Sequence, residues 1–296
     1  MHPVPAVSGP RQSAVATVRG TSPAGAWRFS SWAPRHLAKW VDHFWAFRGP
    51  TAHVRKRIFP NGCIELLFNF AEPYRQVEGR GDELCRVAWL SGPQTGPVVV
   101  EQPRWQDVLG VRLHPAGAYA LLSMPMREVT GLAVDLADLV GQSASDVADR
   151  CASAASVAAR FRIVADWIAT RARRAAGLDR GMAWALDRVT ESGGASPMEP
   201  LRTHLGLSKT RFVDAFRDQV GPSPKLYARI VRFRGVLATL QRAPSNGRLA
   251  DVALDASFYD QAHMNAEFRA LGGMTPRAFL AARHPVGDGS TARDPG

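Results

Sequence analysis

The chain has 296 residues, enough for two domains of ordinary size, and its 46% hydrophobic content excludes a wholly disordered polyelectrolyte. A formal net charge of +11 points to polyanionic partners, nucleic acid first and an anionic membrane surface second. Three scattered cysteines, Cys63, Cys85 and Cys151, form no CxxC pair, which argues against a zinc knuckle or a disulfide framework and for a reducing cytoplasm.

No run reaches the roughly 18 apolar residues of a membrane helix, and Met1 to Arg28 lacks a signal-peptide core. The expectation is a soluble cytoplasmic protein with no membrane partner. Residues 1–25, rich in Pro, Gly, Ser and Ala, read as a flexible leader. Residues 26–125 read as β-rich. There Pro60-Asn61-Gly62 is a turn followed by the apolar run Cys63 to Phe70, as a mostly buried strand requires. Pro97 to Val100 and Val108 to Leu113 are further short strands, separated by Gly and Pro punctuation. Short strands with frequent turns predict a small barrel or sandwich.

Residues 126–177 change texture, with apolar side chains at helical spacing that include Phe161, Val164 and Trp167. Two roles suit them: a helical cap on the first domain, or a segment through which a homodimer forms.

From residue 178 a repeat emerges. Phe216, Gly221, Pro224 and Tyr227 are matched at the same offsets by Phe268, Gly273, Pro276 and Phe279, with Ser223 and Thr275 before the prolines. Such repeats mark one structural unit each. In the first copy Ser196 and Glu199 predict a capping box, Gly206 ends that helix, and Ser208 caps a second helix to about Gln219. In the second copy Leu249 to Ala256 forms the first helix, and Asp260 caps the next, to about Leu271. A long amphipathic stretch, Pro224 to Gln241, joins them. Helix, tight turn, helix is a helix-turn-helix. Lys209, Arg211, Arg217, Lys225, Arg229, Arg232 and Arg234 crowd a span with only Asp214 and Asp218 as acids, which favours phosphate contact.

Leu205-Gly206-Leu207-Ser208, Phe216 to Tyr227, and Phe258-Tyr259-Asp260-Gln261-Ala262-His263 through Phe279 resemble the paired helix-turn-helix domain of the arabinose-regulator (AraC/XylS) family, over residues 178–284. The resemblance implies an α+β two-domain protein: an N-terminal β-rich cupin-like barrel with a helical linker, and an all-α C-terminal domain that reads double-stranded DNA. By position, Thr210, Val213, Asp214, Gln261, Ala262, Asn265 and Ala266 would face bases. Ser208, Lys209, Arg211, Arg217, Arg229, His263 and Arg269 would face phosphates. RNA polymerase is a further expected partner. Arg202 departs from the family's small residue, and Ser257 from its turn glycine. Residues 285–296 read as a disordered tail.

Pro60 to Leu66, Gly92 to Thr95 and Gly110 to Pro115 resemble a poorly characterised N-terminal domain often joined to this module, which implies a sensor for a small effector. Cys63, Glu65, Trp89 and Arg112 are the candidate effector residues. Arg112 has a second role open to it, as a structural partner of Glu65. Trp45, Trp89 and Trp105 read first as core. His36, His43, His53 and His114 are scattered without an HxH pair, so neither metal nor cofactor is expected. The reading is a regulator, not an enzyme. Its rivals are a metal-dependent cupin enzyme with an accessory DNA-binding tail and a sequence-neutral architectural DNA binder.

Overall fold

A computed structural model describes residues 14–51, 53–78, 83–85, 87–175, 179–242, 260–283 and 291–294. The N-terminal half builds β1 (Ala16–Ser22), β2 (Gly25–Trp32), β3 (Val41–Pro50), β4 (Arg55–Ile58), β5 (Ile64–Asn69), β6 (Tyr74–Glu78), β7 (Glu83–Cys85), β8 (Ala88–Ser91), β9 (Val98–Glu101) and β10 (Trp105–Leu113). Helix α1 (Pro115–Leu122), β11 (Ala133–Asp135), α2 (Leu136–Val140), α3 (Ser143–Ala152) and α4 (Val157–Ala172) follow. The C-terminal half holds α5 (Arg180–Glu191), α6 (Met198–His204), α7 (Lys209–Val220), α8 (Pro224–Arg242), α9 (Gln261–Gly272), α10 (Pro276–Ala282) and β12 (Thr291–Arg293).

Two antiparallel sheets result. One runs β1-β2-β3-β10-β5-β8-β11 and the other β12-β4-β9-β6-β7. Alternation along the strands explains why both faces of the larger sheet are apolar. Ile64, Leu66 and Phe68 of β5, with Leu109, Val111 and Leu113 of β10, point into one core with Phe161, Val164 and Ile168 of α4. The intervening Glu65, Leu67, Val108 and Arg112 point the other way, into the space between the sheets. A strand covered on both sides reads as a continuous apolar run, as Cys63 to Phe70 does.

Helix α4 is therefore a cap on the sheet. Phe161 is fully buried, with its ring centroid 5.8 Å from that of Phe44 and 6.3 Å from that of Trp32. Arg160 fastens the helix through Asp107 (2.6 Å) and the Cys151 carbonyl (3.0 Å), with its guanidinium 4.0 Å above the Phe70 ring. The apolar face that suggested a dimer contact is spent inside the chain.

Several boundaries need correction. Residues 16–22, placed in the flexible leader, form β1, held by full-length pairing with β2 rather than by burial. Residues 133–135, placed in the helical linker, are β11 and extend the larger sheet beside β8. Residues 291–293, placed in a disordered tail, are β12 and pair with β4. Trp105 is 47% exposed and belongs to no core. The Ser196–Glu199 capping box does not form: α6 starts at Met198 with Pro197 in the capping position, Ser196 Oγ donates to the Arg188 carbonyl, and Glu199 pairs with Arg202. Among the described residues no helix is long and apolar enough to cross a membrane.

Candidate nucleic-acid interface and effector cavity

Helix α6, a turn at Gly206 (φ +64°) and α7 form the first helix-turn-helix. Ser208 caps α7 by accepting from the Arg211 amide (3.3 Å). Phe212, Phe216 and Val220 bury one side of α7 with Met182, Val189, Leu201 and Tyr227, because residues four apart share a helix face. The opposite side leaves Lys209, Thr210, Arg211, Asp214 and Arg217 exposed, with Val213 half-buried. Arg202 resolves its departure from the family by bonding: its guanidinium donates to the Leu207 carbonyl (2.6 Å) and to Glu199, bracing the turn.

In the second unit the expected first helix, Leu249 to Ala256, and Ser257 lie outside the described residues. Asp260 caps α9 through the His263 amide (2.7 Å). Met264, Phe268 and Leu271 are buried against α8 and α10, while Gln261, Ala262, His263, Ala266 and Arg269 are exposed. Asn265 is half-buried, and its Oδ1 has no partner among the described residues.

The basic run over α7 and α8 separates into uses that the sequence did not distinguish. Arg229 makes a two-pronged pair with Glu267 of α9 (2.8 and 2.9 Å), a geometry that fixes direction as well as charge. Arg232 donates to the Gly194 carbonyl and Arg234 to the Asn61 carbonyl (each 3.0 Å). Asp218 is paired with Arg127. Lys209, Arg211, Arg217 and Lys225 stay exposed.

Between the two sheets lies a cavity of about 130 Å³, and Cys63, Glu65, Trp89 and Arg112 all line it. Arg112 Nε donates to Glu65 Oε1 at 2.9 Å across the β5–β10 ladder, so the structural pair forms and also faces the cavity. Trp45, Tyr74 and Trp89 give aromatic walls, and Val98, Val100 and Val108 aliphatic ones. Lys56, Gln76, Gln94 and Gln102, all buried, supply polar groups. Tyr74 Oη is held by Gln106 Oε1 (2.8 Å), which also accepts from Gln102 (3.2 Å). Burial pushes the Cys63 thiol up against the pull of Arg112 and Arg234, so it remains a protonated thiol at neutral pH.

The sequence missed Lys56, Tyr74, Gln76 and Phe59 as lining residues. The available signal was the two-residue period of β4 and β6, in which Lys56 and Ile58, then Tyr74 and Gln76, share a face.

The cavity and the helical half touch directly. The turn Asn61-Gly62 sits on α8: a Cβ on Gly62 would lie 3.0 Å from the Tyr227 ring, and φ is +69° there. Phe59, fully buried, lines the cavity and packs edge-on to Phe233 (6.0 Å) and Phe279 (5.7 Å) in the core of the second unit. The loop between β8 and β9 reaches both units. Its Gly92 and Gln94 line the cavity. Its Pro93 abuts Gly221 at the end of α7, and its Pro97 abuts Gly273 at the end of α9, where an added Cβ would approach the prolines to 2.6 and 3.1 Å.

Comparison with known families gives two matches. Residues 201–282 match a helix-turn-helix domain. The C-terminal region is an AraC-type helix-turn-helix domain. With it the chain is a DNA-binding transcription regulator. Residues 32–135, upstream of the AraC-type domain, match a domain of unknown function, DUF6597. No curated protein matches the chain.

Among solved structures it is similar to ToxT from Vibrio cholerae, at 9% identity and a TM-score of 0.47, over 80% of this chain and 98% of that one. A fatty-acid-bound ToxT gives 6% and 0.46, over 80% and 94%. The AraC-like transcriptional activator CuxR gives 14% and 0.30, over 72% and 83%. Beside its AraC-type domain, the chain has no group of three His, Cys, Asp or Glu side chains set to hold a metal among the described residues.

Proposed function

We propose that this regulator senses a small effector in the inter-sheet cavity and passes its occupancy to both reading helices. The observation that carries the reading is the β8–β9 loop: the segment that supplies Gly92 and Gln94 to the cavity also places Pro93 on the end of α7 and Pro97 on the end of α9. An apolar void of about 150 Å³ accommodates benzene, so a cavity of about 130 Å³ suits a one-ring compound. The indole and phenol walls favour a flat ring. Lys56 and Arg112 outnumber Glu65 among the charged lining residues, which favours an acidic substituent.

On the DNA side, Thr210, Val213 and Asp214 of α7 and Gln261, Ala262, Asn265 and Ala266 of α9 read bases. Gln and Asn suit adenine edges, and small apolar groups suit thymine methyls. Ser208, Lys209, Arg211, Arg217, His263 and Arg269 hold the backbone. Arg229, engaged by Glu267, orients α9 instead of meeting a phosphate. The test has two arms. Selection from random DNA should yield a site of two adjacent major-groove segments about one turn apart. Titrating one-ring aromatic acids should then raise the melting temperature by mass action and change affinity for that site. A library that moves neither quantity would overturn the sensor, and indifference to sequence would overturn the reader.

A further inference from the structure

We infer that the cavity is a site shared between the two halves of the chain, completed by the C-terminal strand β12, with Thr291 an effector-contacting residue and the Arg57–Asp294 pair the fastening. The inference rests on the sensor reading above and adds the route by which the second unit is held.

Thr291 lines the cavity together with Ile58, its partner in the β12–β4 register. Strand β4 would otherwise be the edge of the smaller sheet, and an edge strand left open exposes a row of unmet backbone groups. Chain that follows the helix-turn-helix domain thus supplies a piece of the sensor wall. On the far side of β4, Arg57 donates to Asp294 Oδ1 from Nε (3.0 Å) and Nη2 (2.6 Å). The carboxylate is 2% exposed, and such a buried charge is tolerated because it is paired. The same guanidinium stands where a Cβ on Gly273 would come within 3.0 Å of its Nη1, at the C-terminal end of α9, where cationic groups are favourable.

Strand β12 also grips the helices. Arg293 donates to the Ala281 carbonyl at 2.9 Å. Ala292 is fully buried in the core of the second unit and bridges to Arg283, which reaches the carbonyls of Leu240 and Gln241 at the end of α8. An effector that presses on Thr291 therefore pushes on a strand fixed to α8, α10 and the end of α9. Among the described residues β12 makes no such tie to α7.

The cavity carries its own reporters, since Cys63 and Cys85 line it while Cys151 is buried in the other core. N-ethylmaleimide labelling of the full-length protein should be at least tenfold faster at Cys63 and Cys85 in Asp294→Ala, with Cys151 unchanged. Thr291→Phe, which inserts a ring from β12, should slow both cavity cysteines at least fivefold. Each variant should change affinity for the selected DNA site fivefold or more. If Asp294→Ala accelerates all three cysteines alike, it has loosened the whole fold, and Thr291→Phe alone decides. Labelling unchanged in Thr291→Phe, or labelling changed with DNA affinity within twofold of the parent, overturns the inference. Val100→Phe fills the same cavity from β9 and separates the two readings. If it shifts DNA affinity while Thr291→Phe does not, the shared site fails and the sensor stands. If neither shifts it, the sensor reading fails as well.

Discussion

The two helix-turn-helix units repeat one pattern and are seated differently on the N-terminal half. Gly221 and Gly273, at equivalent places in the repeat, both meet the N-terminal half, yet their neighbours differ. The first unit rests on the helical side: α7 packs on α1 and on the short turn Met126–Val129, and Arg127 pairs with Asp218. The second unit rests on the smaller sheet, through Phe59, Arg57 and β12. On the sensor reading, an occupant of the cavity would reach the second unit through buried aromatic and ionic contacts. It would reach the first through a loop proline and an exposed ion pair. Similar sequence units can therefore differ in how closely they are joined to the domain that precedes them.

Six substitutions press on that contrast. Phe59→Ala should have the largest effect, about 3–5 kcal/mol, as expected for deleting a fully buried ring. Hydrogen exchange should show the loss in α9 and α10 with α7 retained; equal loss in both units would erase the contrast. Gln261→Ala should cost roughly 1–3 kcal/mol at a single base position and relax specificity there. A uniform loss across single-base variants of the site would show that α9 does not read bases.

Arg229→Ala and Glu267→Ala should each weaken DNA binding by about 1 kcal/mol, and the double variant should be little worse than either, as for two residues that act as one contact. Salt dependence should stay as in the parent for Arg229→Ala, whereas Arg211→Ala should lower its slope by about one phosphate. A lowered slope for Arg229→Ala would return that residue to the phosphate-contacting set. Arg127→Ala should matter least, within about 1 kcal/mol, because the pair is largely exposed. If its effect on DNA affinity exceeds that of the Glu267 variant, the first unit is the more tightly coupled one.

Much of this was legible in residue order because local rules decide it. Ser208, Asp260 and Thr275 cap helices as their positions demand, and the Phe–Gly–Pro repeat marks the joints of the units. The run Cys63 to Phe70 announced a strand covered on both faces. What was not legible depends on distant partners. Phe161 and Val164 have the same spacing whether they face a second copy or a sheet of their own chain. Arg229 looks like any basic residue until α9 brings Glu267 beside it. Thr291 and Asp294 sit in a polar, glycine-containing stretch, and nothing local shows that β4 lacks a neighbour. The four effector candidates converge because Cys63, Glu65 and Arg112 came from segments recognised together, whereas Lys56 and Gln76 lie on strands whose alternation is short.

The ion pair that fastens β12 joins residues 237 positions apart in sequence. A nascent chain emerges N-terminal end first, and its domains generally fold as units in that order. Closing a loop of this length carries an entropic cost that must be met before the contact forms. During synthesis the larger sheet and its helical cap can assemble while β4 still has an open edge. On the sensor reading proposed above, the wall of the cavity is complete only once residues 291–294 have followed α7 and α9 out of the ribosome, so a product truncated between α10 and β12 would keep α7 and α9 but lose its response to an effector.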